Sequence, residues 1–83
     1  MVATRDQIER AAYALSDAHD HDHDFARKVQ FIVMDAESNA DAPDVREEDR
    51  ASCFRYTIIE YLECGHDGEP VPPAVADWFW SRL

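Results

Sequence analysis

Three histidines alternate with three aspartates in His19-Asp20-His21-Asp22-His23-Asp24. Neutral imidazole and carboxylate are the usual ligands for zinc, nickel and copper. Farther along, Cys64-Gly65-His66 adds a thiol and the fourth histidine of the chain. Packed as antiparallel neighbours, the flanking helices bring His19, His21, His23, Cys64 and His66 to one end of the molecule, a candidate metal-binding or metal-responsive pole for zinc or nickel. A plainer reading competes with it: a polar connector whose carboxylates cap a helix and whose histidines face water. An extended alternation sends successive side chains to opposite sides, so the three imidazoles converge only if the chain curls. Structural zinc sites also tend to carry two short ligand pairs, and only Cys64-Gly65-His66 approaches one. The plainer reading is favoured, and it requires no cofactor.

Carboxylates are the more abundant chemistry. Against 8 basic side chains stand 18 acidic ones, for a net charge of −10. Nucleic-acid affinity comes from Lys and Arg neutralising phosphates, so direct binding of DNA or RNA is excluded, and anionic membrane surfaces are disfavoured for the same reason. The natural partner is a basic surface on another protein, of the kind that a nucleic-acid-binding complex presents. The acids concentrate in runs 17–24, 35–49 and 60–69, in which Arg46 is the sole basic residue. The expected contacts are Asp20, Asp22, Asp24, Asp41, Asp44, Glu47, Glu48 and Asp49, with Trp80 as an aromatic anchor. The first and third runs are expected at one pole and the second at the other. A solvated coat that only confers solubility is the competing reading.

Catalysis has little support. No spacing brings a nucleophile, a base and an orienting group together. With only Gly65 and Gly68 in the chain, no glycine-rich phosphate loop exists either. The chain is therefore read as a non-enzyme.

The elements that must position these groups are helices. Thr4-Arg5-Asp6-Gln7 is a capping-box pattern, and Ile8, Ala11, Ala12 and Leu15 follow on one face of a helix running to Ala18. Phe25, Val29, Ile32, Val33 and Ala36 mark a second helix, capped by Asp22 or Asp24 and ending at Ala36, with Phe31 and Met34 off its main stripe. That helix is expected at the centre of a bundle or in a homodimer seam. Glu37 to Pro43 reads as a loop. A third helix is expected from Asp44 to Cys64, with Gly65 as its stop and Ala51, Phe54, Ile58, Tyr61 and Leu62 inside. Pro72-Pro73 opens a short last helix, whose Val75, Trp78, Phe79 and Leu83 share a face while Trp80 points elsewhere. The fold class is all-α: one acidic domain, residues 1–83, of three main helices plus a short C-terminal one.

Such a chain has a composition able to fold. It is 46% hydrophobic and holds two Trp, four Phe and three Tyr, whereas disordered acidic chains are poor in aromatics. At this length a fold buries only about 60% of the surface of the unfolded chain, which leaves little room for an enclosed active site. Cys53 and Cys64 lie on one helix about 16 Å apart, too far for a disulfide, so both are expected as free thiols in a reducing compartment. No long apolar run or signal peptide is evident, and a cytoplasmic protein is expected. No family motif is present. In size and charge alone the chain resembles small acidic helical proteins of phage or plasmid origin that block nucleic-acid-handling machinery. That resemblance implies an inhibitor or nucleic-acid mimic and names no residue.

Overall fold

The capping box forms as its sequence predicts. In the computed structural model, which describes residues 2–15 and 23–83, the Thr4 hydroxyl accepts from the Gln7 amide at 3.2 Å and the Gln7 side chain accepts from the Thr4 amide at 2.9 Å. These bonds satisfy two of the amide groups that every helix start leaves unpaired. Helix α1 spans Arg5–Ala14 and buries Ile8 and Ala12. The expected extension to Ala18 falls on residues 16–18, outside the described residues.

Helix α2 spans His23–Ala40, four residues beyond the expected end at Ala36. Ser38 and Asn39 resemble loop residues in sequence, but Ala36 and Ala40 continue the apolar stripe and are fully buried. Packing thus overrides their modest cost in helix propensity. Asp24 lies inside the first turn, where its carboxylate favours the positive end of the helix.

The third helix starts later than its cap pattern suggests. Residues 43–45 form a turn, Glu47–Asp49 make a single 3-10 turn without a side-chain cap, and α3 runs Arg50–Cys64. The three adjacent carboxylates of the 3-10 turn have no apolar face to bury, so regular helix begins only where Phe54 and Ile58 can reach the core. Ala51, expected inside, is exposed in that first turn. Helix α4, Pro73–Trp80, has proline in its first turn and buries Val75 and Phe79.

All four helices meet in one core, with α2 and α3 forming the main pair and both α1 and α4 packed on α2. Phe54, Phe79, Ile8, Ile58, Val29, Val33 and Val75 are its largest fully buried side chains. The two ends of the chain are tied beside α3. Arg55 donates to the Ala3 carbonyl at 3.4 Å and to the Leu83 carbonyl at 3.0 Å, and the Ala3 amide donates to Arg82 at 2.8 Å. Among the described residues, no helix is long and apolar enough to cross a membrane.

Gly65 ends α3 for a steric reason. Its φ is +75°, and a Cβ at that position would lie 2.2 Å from the Glu69 carbonyl oxygen. The approach is that close because His66 and Glu69 exchange backbone hydrogen bonds of 2.8 and 2.9 Å around Asp67-Gly68. Both turn residues have positive φ, 50° and 82°, which is the left-handed conformation that Asp-Gly tolerates in tight hairpin turns.

Candidate interaction surface

The carboxylates divide into those that other side chains hold and those that face water alone. Arg5 donates to both oxygens of Asp41, at 2.9 and 2.7 Å, and approaches Glu9 at 3.5 Å. This fork fastens α1 to the C-terminal end of α2, and it holds the Asp41 carboxyl below the usual range. Asp41 thus ties the fold together, while its carboxylate, expected as a partner contact, stays half exposed. Asp24 pairs with Lys28 at 3.0 Å, and Asp6 with Arg10 at 3.0 Å as the i,i+4 spacing predicts. Tyr13 donates to Glu37. Burial, reinforced by a hydrogen bond that the protonated Glu9 carboxyl donates to Glu37, pushes the Glu9 carboxyl up to about 7.

Asp35 groups with the third acidic run rather than its own. It sits mid-way along α2 and accepts from the Tyr61 hydroxyl at 2.6 Å. Burial and this bond push the Tyr61 phenol up to about 12. Asp35, Glu60 and Asp67 line one shallow cavity of about 280 Å³, so the expected assignment of the whole 35–49 run to the far pole fails for Asp35.

What remains is a ridge. Asp44, Glu47 and Asp49 have no ion-pair partner among the described residues, and Glu48 meets only Arg46, at 3.7 Å and fully in solvent. Such an exposed pair contributes little and leaves Glu48 free to exchange partners. The line continues along α3. Positions 49, 56, 60 and 63 recur at 7, 4 and 3 residues, hence on one helix face, and all four side chains are exposed. Glu60 and Glu63 also have no ion-pair partner among the described residues. Tyr56, 67% exposed, stands between the two acidic groups. From Asp49 to Glu63 the face extends about 21 Å along a rigid helix. Asp44, Glu47, Glu48 and Asp49 were legible as a charge run, whereas Glu60 and Glu63 join them only through the helical spacing.

The chain matches no family model, no curated protein and no solved structure.

The remaining expected contacts sort as follows. Asp20 and Asp22, with His19 and His21, lie outside the described residues. Trp80 is 48% exposed at the end of α4, while Trp78 packs against Phe79 with ring centroids 4.9 Å apart and carries the Arg82 guanidinium 3.9 Å above its ring. Of the metal pole, His23 and Cys64 are exposed. His66 leans on Phe31 and Tyr61, with its Nε2 3.3 Å from Asp67. Among the described residues no three His, Cys, Asp or Glu side chains are arranged to hold a metal ion. Cys53 and Cys64 are free thiols.

Proposed function

We propose that this chain is a protein-interaction module that lays the ridge from Asp44 to Glu63 along a basic surface of a partner protein. The supporting observation is a difference in use: Asp41 and Glu9 meet Arg5 across the α1–α2 seam, while the acids of the ridge face solvent along the 3-10 turn and α3. Glu60 and Glu63, mounted on α3, lose little freedom on binding, and Tyr56 between them and the 3-10 turn supplies an amphipathic ring of the kind that anchors interfaces. Carboxylates in a row meet the same lysines and arginines that hold phosphates, so the module acts as an inhibitor or nucleic-acid mimic on nucleic-acid-handling machinery. Long-range attraction speeds encounter and makes binding sensitive to salt.

The test is capture of partners on the immobilised chain at about 50 and about 300 mM salt, beside a variant carrying Glu47→Lys, Glu48→Lys and Asp49→Lys. Expected is a set of nucleic-acid-handling proteins retained at low salt, released at high salt and absent from the variant. Partners that bind the chain and the variant equally at both salt concentrations would overturn the reading.

A further inference from the structure

We propose that the Tyr61–His66 wall carries a second docking site, for a basic peptide segment that seats an apolar side chain in one cavity beside the wall and a lysine or arginine in another. Phe31, Tyr61 and His66 cluster with ring centroids 5.4–6.4 Å apart. Against this cluster lies a cavity of about 350 Å³ walled by Ile32, Val71 and Val75. That volume is at the small end of ligand sites and suits one large apolar side chain. Its rim carries both signs of charge, Lys28 already paired with Asp24 at 3.0 Å and Arg27 offset by Glu69, so the cavity is close to neutral.

The Tyr61 and His66 rings also line the cavity of about 280 Å³. Asp35, Glu60 and Asp67 line it, and no lysine or arginine does. Tyr61 and His66 therefore border both an apolar cavity and an acidic one, and Gly65 permits the close turn to Glu69 that carries His66. Half-exposed Phe31 and Met34, 50% and 58% accessible, extend the apolar surface along α2.

Charge selects the occupant. An acidic segment meets repulsion from the three carboxylates, a second copy of this chain brings a net charge of −10, and a neutral apolar segment leaves the acidic cavity unanswered. A segment with an apolar side chain beside a cationic one satisfies both cavities. The site does not depend on the ridge: only Glu60 is common to both, and residues 47–49 lie at the other end of α3.

The test titrates the isotope-labelled full chain with a short capped peptide, one Trp flanked by lysines, and follows backbone amide shifts by NMR. Saturating shifts are expected on residues 27–32 and 61–71, with a dissociation constant of about 0.1–1 mM at low salt. Replacing the peptide's lysines by glutamates, or its Trp by Ser, should weaken binding by about five-fold or more. Phe31→Ala, and separately Asp35→Asn, should each cost roughly three-fold or more, whereas the triple reversal at Glu47, Glu48 and Asp49 should stay within about two-fold. Phe31 is half-exposed and Asp35→Asn keeps an acceptor for Tyr61, so both variants are expected to fold. No saturable shift, equal binding of the acidic peptide, or shifts confined to residues 44–56 would each overturn the site, and the last result would leave the ridge reading standing.

Discussion

At the seam between α1 and α2, Arg5 grips Asp41 with two hydrogen bonds and lies 3.5 Å from Glu9, while Tyr13 donates to Glu37. Along the outer face of α3, Asp49, Glu60 and Glu63 meet no cation among the described residues. The same side chains thus serve opposite ends within one small bundle. The formal charge of −10 already nets out every carboxylate matched by a cation, so what distinguishes the two regions is where the unmatched charges are mounted. The carboxylates of the 3-10 turn and α3 are the ones left exposed with no strong cation contact among the described residues.

The largest expected effect comes from attacking the ridge. With Glu47, Glu48 and Asp49 all reversed to lysine, partner affinity should fall by about 10- to 100-fold at low salt, as attraction becomes repulsion. Thermal stability should fall by no more than about 8 °C, since none of these side chains is buried and the change forfeits only favourable charge ahead of α3. A collapse of stability instead would move these residues to the structural class and erase the contrast.

The complementary experiment attacks the seam. Arg5→Ala removes the fork to Asp41, the contact with Glu9 and a guanidinium that lies 5.1 Å from the centre of the Phe54 ring. Calorimetry should show Tm lowered by about 5 °C or more, while the affinity of the remaining folded molecules for partner stays the same. Binding lost in proportion beyond the unfolded fraction would mean that the seam too belongs to the interface.

These two regions were unequally legible in the sequence. Local signals carried the helix starts and stops: the Thr4–Gln7 capping box, Gly65 after α3 and the proline pair before α4 all function as their spacing predicts. The acidic 47–49 end of the ridge was visible for the same reason, being contiguous. The seam was not, because Arg5 and Asp41 are 36 residues apart and Tyr13 and Glu37 are 24 apart, and no local pattern marks such pairs. The last turn of α2 was obscured by Ser38-Asn39, whose preference for loops yields to the burial of Ala40. The cavities flanking Tyr61 depend on a hairpin turn whose packing against α2 is set by tertiary contacts alone.

A pH series sharpens the seam further. Burial and Glu37 hold the Glu9 carboxyl up at about 7, so the proton it keeps in the folded state favours folding. Its contribution is fully present below the ordinary range of a glutamate and is lost as pH rises through about 7. Asp41 acts in the opposite sense: held low by Arg5, it adds stability above the ordinary aspartate range and loses it as pH falls through its lowered value. Arg5 stays charged throughout, and the Tyr13 phenol, pushed up to about 12 mainly by burial, stays neutral. Tm should therefore peak in mildly acidic solution and decline toward pH 8. Glu9→Gln should flatten the decline at the alkaline side and leave the acid side unchanged; an unchanged alkaline limb would place the proton elsewhere.

The smallest effect tests whether the ridge is kept at a cost. Helix dipoles favour carboxylates at the N-terminal end and disfavour them at the C-terminal end. Asp49 and its neighbours precede α3 and gain from this field, but Glu63 lies one residue from its C-terminal end, and the last turn holds no basic residue. Stability alone would place a cation there. Glu63→Lys should raise stability by about 0.3–1 kcal/mol at low salt, with the gain fading as salt screens it. The same exchange at Glu47 should lower stability by a comparable or smaller amount, since it trades a favourable N-terminal charge for an unfavourable one. Opposite signs from one chemical change at the two ends of α3, measured by denaturant titration, would show that Glu63 opposes the helix it sits on. Partner affinity then decides why: if Glu63→Lys stabilises the chain and also weakens binding, the residue serves the interface. If it stabilises the chain and leaves binding intact, the ridge is shorter than its exposed face and ends before the last turn.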